Sequence, residues 1–504
     1  MTRHALVPLV NACLLPAYDG RTPPDWVKHA LDQGLAGVGL FGTNLLPPGG
    51  PLREDIVDPL RAVRPDALIA LDEEGGDVTR VDYHRGSVYP GNHALGAVDD
   101  PALTRRVAEA VADDLLETGV NLCLGPCADV NSRPGNPIIG VRSFGASPDL
   151  VARHTRAFVA GLQGRGVAAT LKHFPGHGDT GTDSHSWLPD IPRSLDELRA
   201  LELPPFVEGF DAGAKAVMTG HIRVPQVDGL PATLSRRVVT GLLREELGYD
   251  GVVISDALEM APILDRWGFG GAAVLAWAAG VDLVLLGATD GEKILPEVHA
   301  AVERALETGE LTTDRLEEAA ARIAALRAWA APRATAEAPT PAATAPGTAG
   351  VGLVAARRAL AGAALPVLPV AAPVHVLRLA VGANLAVGEA PWGLARSLER
   401  LGALGSATDV EPGTDPHRIG LPDGDDAGAP VVVVVRDAVR DPWQQETLAA
   451  LRARRPGLLT VEMGLTPVPL PDAPTLLTRG AGLANAVAAA ELLTGRRWTG
   501  PLRA

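Results

Sequence analysis

The first 290 residues of the chain repeat one unit, in which a short apolar run is followed by a polar turn and a segment with helical periodicity. Strands that are buried on both faces read as continuous apolar runs, and their alternation with helices is typical of a parallel sheet. The runs cover residues 6–15, 35–41, 67–71, 120–124, 167–171, 214–218, 251–254 and 281–286. Eight such runs predict an α/β fold whose N-terminal part is a (β/α)8 TIM-like barrel.

A segment over residues 331–350 divides the chain. It is rich in Ala, Pro and Thr and has no large apolar side chain, which predicts a semi-extended linker. We therefore predict a barrel over residues 1–330 and a second domain over residues 351–504. Apolar runs at 374–381, 430–435 and 458–463 alternate with helical patterns there. This alternation predicts a smaller α/β sandwich.

Composition excludes several classes of function. The 504 residues carry a formal net charge of −15, whereas nucleic acids and anionic membranes require a basic surface, so we predict neither as a partner. Three cysteines are too few for a disulfide framework, and we interpret them as buried free thiols.

The N-terminal apolar stretch over residues 5–17 has two interpretations. Its length suits the apolar core of a secretory signal, but Pro8 and Asn11 interrupt it and no typical cleavage site follows. We interpret residues 6–15 as the first strand and predict a cytoplasmic protein, with a signal peptide and secretion as the alternative. No later apolar run is long enough to span a membrane.

Ionisable residues follow several of the predicted strands. Asp72 directly follows the third run, Lys172 and His173 directly follow the fifth, His221 follows the sixth, and Asp256 comes almost directly after the seventh. Active sites of barrels are built at the carboxyl ends of the strands, so these side chains are candidates for binding or catalysis. For Asp256 the alternative is structural, as the N-cap of a helical segment over residues 257–264.

The densest group of such residues lies in residues 172–185, which hold a Lys, three His and two Asp between Gly and Pro. Imidazoles beside carboxylates provide charge and proton transfer near neutral pH. The three His are also candidate zinc ligands. However, Pro175 and Gly176 separate His173 from His177 and prevent the helical spacing of the familiar two-His zinc motif. We therefore predict no metal and no cofactor.

Four motifs in order resemble family 3 of the glycoside hydrolases, in particular its branch acting on β-N-acetylglucosaminides. They cover residues 71–80 (LDEEGGDVTR), 141–145 (VRSFG), 172–189 (KHFPGHGDTGTDSHSWLP) and 253–260 (VISDALEM). The resemblance extends over residues 5–330. It implies a catalytic barrel, often followed by a second domain.

The resemblance also implies a retaining mechanism with a covalent glycosyl-enzyme intermediate. Asp256 matches the nucleophile. His185 matches the acid/base of this branch, and Asp183 matches its partner in a dyad that fixes the imidazole. Asp72, Arg80, Arg142, Lys172 and His173 match the residues that bind the sugar, and His177 and Asp179 are candidates for supporting the loop. Gly178 and Gly181 predict that this loop opens and closes.

The implied activity is that of an exo-β-N-acetylglucosaminidase (β-N-acetylhexosaminidase) of bacterial type. Its small-molecule carbohydrate substrate is a peptidoglycan fragment, as in peptidoglycan recycling, or a chitooligosaccharide. Two alternatives within the family are a β-N-acetylglucosaminide phosphorylase, whose His acid/base does not repel phosphate, and a β-glucosidase. A third is a non-catalytic sugar-binding protein on the same scaffold.

Overall fold

The structure is a computed structural model of the chain. It describes residues 3–45, 52–181, 187–331, 350–362, 373–382, 387–388, 390–422, 428–465 and 475–503. The chain divides into two compact units. The first comprises residues 1–73, 104–139 and 146–342, and the second comprises residues 74–103, 140–145 and 343–504.

The first unit is built on eight short parallel strands. They are β1 Leu14–Ala17, β2 Gly37–Leu40, β3 Leu68–Leu71, β4 Leu122–Cys123, β5 Ala168–Phe174, β6 Ala216–Thr219, β7 Val252–Ser255 and β8 Val284–Asp290. Strands β2 to β7 form one sheet in chain order, and β1 pairs with β8. A parallel bridge between Ile254 and Leu283 joins β7 to the residue before β8. The predicted TIM-like barrel is confirmed.

Helices follow the strands in the order that the repeat predicts. Up to residue 330 they are α1 Arg3–Asn11, α2 Asp25–Asp32, α3 Asp58–Val63, α4 Asn92–Val98, α5 Pro101–Thr118, α6 Pro148–Arg165, α7 Leu195–Leu201, α8 Pro204–Asp211, α9 Ala261–Ala279, α10 Gly291–Thr308 and α11 Thr313–Ala330. Arg53–Val57 and Arg237–Glu246 wind as π-helices. Among the described residues, no helix combines the length and apolar character that a membrane crossing requires.

The predicted first strand over residues 6–15 is wrong over most of its length. Arg3–Asn11 forms α1, and the strand is limited to Leu14–Ala17, all of which are buried. Leu6 and Val10 are also buried, and their spacing of four residues places them on one helical face. An apolar run cannot by itself distinguish a buried strand from a buried helix, and here it contains part of each.

The second unit contains a six-stranded sheet in the order β11-β10-β12-β13-β14-β9, with β9 antiparallel to its neighbour and the other strands parallel. The strands are β9 Ala361–Gly362, β10 Val374–Leu379, β11 Leu404–Val410, β12 Val431–Val435, β13 Leu459–Glu462 and β14 Thr475–Leu477. The helices are α12 Val351–Ala359, α13 Ala395–Arg400, α14 Pro442–Arg454 and α15 Leu483–Thr494. This part of the fold agrees with the predicted α/β sandwich.

Residues 74–103 contribute to the second unit through specific polar contacts. The guanidinium of Arg503 donates to both oxygens of the buried Asp82, at 2.9 and 3.0 Å. Asp77 accepts from the side chain of Arg436 and from the backbone of Ala481. The domain bounds of 1–330 and 351–504 stay a prediction. Each of the two compact units is made of three separate segments of the sequence. Most of the predicted linker lies outside the described residues.

Candidate active site

Lys172 and His173 belong to β5 itself rather than to the loop that follows it. All seven residues of Ala168–Phe174 are buried, so the strand extends three residues beyond the apolar run that predicted it. The ammonium group of Lys172 donates to Asp72 Oδ1 at 2.7 Å. The two side chains are 3% and 19% exposed. Because β4 lies between β3 and β5 in the sheet, this ion pair crosses over the end of β4.

Asp129 organises the segment that follows β4 and β5. Its Oδ1 accepts from the backbone N–H groups of His173 and His177, at 3.1 and 2.7 Å. Its Oδ2 lies 2.8 Å from His173 Nδ1 and 3.2 Å from Cys127 Sγ. An ionised carboxylate can only accept, so Nδ1 of His173 carries a proton. Asp129 therefore fixes both the tautomer and the ring orientation of His173.

The charge state of Asp129 follows from these contacts. Its side chain is fully buried, and burial alone raises the pKa of a carboxyl group. The charge and hydrogen bonds of His173, together with His177, outweigh burial and lower the pKa of Asp129 to about 2. The carboxylate is thus anionic at neutral pH.

The turn over residues 175–181 packs tightly on the chain after β4. A Cβ atom at Gly178 would lie 1.6 Å from the carbonyl oxygen of Val130, so only glycine fits. Asn136 Nδ2 donates to the carbonyl oxygens of His177 and Gly178, at 2.8 and 3.1 Å. Gly178 therefore serves close packing in this structure, and the predicted opening of the loop stays a prediction.

The side chains of His177 and Asp179 are engaged in the same turn. His177 Nδ1 lies 2.7 Å from Thr180 Oγ1. Asp179 Oδ2 accepts from Arg193 Nε at 2.7 Å, which attaches the turn to the segment before α7. Asp183 and His185, the predicted dyad, lie outside the described residues. Their predicted roles, and their proximity to Asp256, stay predictions.

Asp256 lies directly after β7 and is half-buried. Its backbone N–H donates to the carbonyl oxygen of Thr219 at the end of β6, and its Oδ1 accepts from the N–H of Ala257 at 2.8 Å. The alternative role as the N-cap of a helix over 257–264 is wrong, because α9 begins at Ala261 and its N-cap is Met260. The structure places Asp256 at the carboxyl end of the barrel strands, as the sequence predicts.

His221 contacts the backbone of Ala257, the residue after Asp256. The Nε2 atom of His221 lies 3.0 Å from the carbonyl oxygen of Ala257, and its Nδ1 lies 2.9 Å from Thr233 Oγ1. Both ring nitrogens are therefore engaged within the protein, and the residue is fully buried. These contacts favour a structural role for His221 over the binding or catalytic role for which the sequence makes it a candidate.

Arg80 and Arg142 belong to the second unit. Arg142 donates from Nε and Nη2 to the two oxygens of Glu74, at 3.0 and 2.8 Å, and the side chains are 7% and 1% exposed. Arg80 Nη1 donates to the carbonyl oxygen of Val387 at 3.3 Å, and its guanidinium lies 5.9 Å from the ring centroid of Tyr83. Both guanidinium groups are thus held in fixed orientations within that unit.

The pairing of Arg142 with Glu74 gives a testable expectation. We expect Arg142→Lys to lower the free energy of unfolding by about 1–2 kcal/mol, because a lysine cannot replace the two parallel hydrogen bonds of a guanidinium. Chemical denaturation at pH 7 measures the change. Arg156→Lys is a matched control, since Arg156 makes an exposed pair with Glu208 and its replacement is expected to change little. Equal effects of the two substitutions would contradict the expectation.

One group of potential metal ligands occurs in the described part of the chain. Ligand atoms of Cys127, Asp129 and His173 lie within 4.8 Å of one another. The hydrogen bonds among these three side chains account for that proximity. Of the three His considered as zinc ligands, His173 and His177 each direct Nδ1 to a protein oxygen, and His185 lies outside the described residues.

Sequence reasoning did not identify Asp129, Asn136 or Thr180. Asp129 carries the same signal as Asp72 and Asp256, namely a carboxylate shortly after a buried strand. The contacts of Asn136 and Thr180 are long-range or depend on the exact path of the turn, and no pattern in the sequence indicates them.

Comparisons with known proteins show what the chain resembles. Residues 22–326 match the glycosyl hydrolase family 3 N-terminal domain. Beta-hexosaminidase A of Pseudoalteromonas piscicida is 37% identical over 280 residues, covering 52% of this chain and 47% of that protein. Beta-hexosaminidase of Stenotrophomonas maltophilia K279a is 39% identical over 298 residues, covering 57% and 85%. The chain thus spans about half the length of the first relative and most of the second.

A solved structure matches nearly the whole chain. It is a glycoside hydrolase family 3 β-N-acetylglucosaminidase from Paenibacillus sp. FPU-7, with a TM-score of 0.84 and 31% sequence identity. The match covers 98% of this chain and 97% of that one. The similarity therefore includes the second unit as well as the barrel.

Proposed function

The chain belongs to glycosyl hydrolase family 3, and from this premise we propose that it is a retaining exo-β-N-acetylglucosaminidase. The observation that carries the proposal is the position of Asp72, Lys172 and Asp256. They lie at the carboxyl ends of β3, β5 and β7, where barrel enzymes hold their reacting groups. The names of the relatives, beta-hexosaminidase and β-N-acetylglucosaminidase, support the substrate class.

In the proposed reaction, Asp256 is the nucleophile. One of its oxygens forms a bond to the anomeric carbon while the bond to the leaving oxygen breaks, and His185 supplies the proton that the leaving group takes. Water then attacks the anomeric carbon of the glycosyl ester, with neutral His185 accepting its proton, and Asp256 departs as the carboxylate. Two inversions retain the β configuration.

The pair of Asp183 with His185 has a physical purpose. An imidazole titrates near neutral pH, so one residue can act as acid in the first step and as base in the second. A carboxylate on the other ring nitrogen fixes the tautomer and stabilises the cation. Asp129 makes the same kind of hydrogen bond to His173, with its Oδ2 atom 2.8 Å from Nδ1.

For recognition of the sugar, we propose Asp72, Lys172 and His173 from the barrel, together with Arg80 and Arg142. Buried charged groups that are held by neighbours suit this task, because they lose little freedom on binding and reject sugars that leave them unpaired. Asp72 with Lys172 presents an acceptor beside a donor, which matches a hydroxyl group. His177 and Asp179 are proposed to support the loop rather than to bind.

The natural substrate is proposed to be a bacterial cell-wall fragment with terminal N-acetylglucosamine or a chitin-derived oligosaccharide. Cytoplasmic location, with secretion as the alternative, stays a prediction.

Kinetics on two aryl glycosides test the proposal. We expect kcat/KM for the aryl N-acetyl-β-glucosaminide to exceed that for the aryl β-glucoside by about 10²-fold or more, since the glucoside leaves the groups that bind the acetamido unit unpaired. A preference for the glucoside would instead support the β-glucosidase alternative. Absence of turnover on both, with retained sugar binding, would support a non-catalytic protein.

The same assay with phosphate present distinguishes hydrolysis from phosphorolysis. We expect free N-acetylglucosamine as the product and no change of rate with phosphate concentration. Formation of the sugar 1-phosphate, in proportion to added phosphate, would replace the hydrolase with the phosphorylase.

A further inference from the structure

Glu202 is a buried acid that the proposed mechanism does not use. It lies in the corner between α7 and α8 and is 0% exposed. Neither of its carboxyl oxygens accepts a well-formed hydrogen bond in the described part of the chain, and the backbone N–H of Val130 contributes a weak donor contact that opposes burial without outweighing it. A buried carboxylate in this situation is strongly disfavoured, because it loses the solvation of its charge without replacement.

The side chain of Glu202 packs directly against the turn after β5. A Cβ atom at Gly176 would lie 2.5 Å from both the Cβ and Oε2 atoms of Glu202, so the two residues are in close contact. Phe206 of α8 makes an edge contact with Phe174 at the end of β5, with ring centroids 5.3 Å apart. The corner between α7 and α8 therefore supports the strand end and the first residues of the turn.

The charges around Glu202 also disfavour its ionisation. Asp129 approaches from the chain after β4 and Asp179 from the turn, and both repel a carboxylate, while Arg193 before α7 attracts one. Arg193 is already paired with Asp179, and Asp129 is balanced by His173 and His177. Burial first, and then these two acids, raise the pKa of Glu202 well above its usual value.

We propose that Glu202 is a positioning residue which, as an uncharged carboxylic acid, supports the turn over residues 176–179, a few residues before Asp183 and His185 in the sequence. Ionisation of Glu202 would place a third carboxylate beside Asp129 and Asp179 and displace the turn. The neutral form of Glu202 is thus required for the observed arrangement of the turn over residues 176–179. The effect of Glu202 on catalysis rests on the proposed function, whereas its charge state does not.

The pH dependence of stability has a definite direction. Well below its ordinary pKa of 4.5, Glu202 is protonated in both the folded and the unfolded chain. As pH rises, the unfolded chain ionises while the folded chain holds the proton, so stability falls with rising pH until the folded pKa is passed. Replacement with glutamine removes this loss, because glutamine is neutral at every pH.

The test compares thermal unfolding of the full chain with Glu202→Gln between pH 5 and pH 9. We expect the variant to unfold about 3 °C or more above the wild type at pH 9, and the difference to shrink toward pH 5. Glu208→Gln is the control, since Glu208 is on α8 but exposed, and its profile is expected to follow the wild type. A constant difference across the range would overturn the neutral state of Glu202.

Activity tests the positioning role separately. With an activated aryl N-acetylglucosaminide, whose leaving group needs no proton, we expect wild-type kcat/KM to fall at alkaline pH and Glu202→Gln to keep most of its activity there. Glu202→Ala, which removes the support, is expected to lose about tenfold in kcat at pH 6 with a smaller change in KM. Unchanged kcat in the alanine variant, or identical alkaline limbs in the wild type and the glutamine variant, would overturn the role. If the wild type hydrolyses no glycoside, the proposed function fails and the unfolding comparison still decides the charge state.

Discussion

An Asp256→Asn substitution is expected to lower kcat by about 10⁴-fold or more, the scale on which enzymes lose activity when their nucleophile is removed. The amide has nearly the same shape but cannot form the glycosyl ester. It also keeps an oxygen that can accept from the N–H of Ala257, so the fold should be retained. Hydrolysis of an aryl N-acetylglucosaminide, together with an unchanged unfolding midpoint, measures the effect.

The control for this loss is His185→Ala. If His185 is the acid/base, its removal is expected to spare the formation of the glycosyl-enzyme from activated aryl substrates while strongly slowing natural disaccharides, whose leaving group requires a proton. Asp256→Asn is expected to affect both substrates alike. Full activity of the asparagine variant would remove Asp256 from the chemistry.

Asp129→Asn is expected to produce the largest loss of stability among single substitutions around the strand ends. Both oxygens of Asp129 accept from donors, so an amide NH2 group would face His173 Nδ1 or the backbone N–H groups. Leaving buried donors without an acceptor costs about 2–3 kcal/mol in the free energy of unfolding. Denaturant unfolding at pH 7 measures this value.

The effect of Asp129 should also depend on pH. Because folding lowers the pKa of Asp129 from 3.8 to about 2, its ionisation stabilises the folded protein above pH 3.8, and this contribution is lost as pH falls toward 2. The difference between wild type and variant should therefore shrink by about 2 kcal/mol over that interval. Asp190→Asn is the control, since Asp190 pairs with Arg223 at the surface and should change stability by less than about 0.5 kcal/mol. A difference that is independent of pH would argue against an ionised Asp129.

The barrel was predictable because each of its strands from β2 to β8 overlaps a buried apolar run, for which burial on both faces leaves little choice of residue type. The first strand was predicted wrongly because Leu6 and Val10 are buried on a helix instead. The last three residues of β5 were missed because two of them are not apolar. Lys172 and His173 are polar, and their burial in a strand depends on partners such as Asp72 and Asp129, which are distant in sequence.

The candidate site was predictable where it consists of residues at strand ends or in a long motif, as for Asp256 and Lys172. It was not predictable where a residue acts through contacts between loops. Glu202 occurs in an ordinary amphipathic helical pattern, and nothing in that pattern indicates that its carboxyl group meets the backbone of Gly176. Local sequence carries periodicity, whereas the meeting of a helix corner with a turn depends on the packing of the whole barrel.

The discontinuous second unit has a consequence for how the chain comes apart. The polypeptide passes from one unit to the other five times, at residues 73/74, 103/104, 139/140, 145/146 and 342/343. Proteolytic cleavage at one peptide bond between 332 and 349 would therefore not free the carboxyl-terminal fragment. Asp82, on the amino-terminal fragment, would still hold Arg503 on the other, so a nicked molecule should migrate as one species under native conditions and as two in detergent.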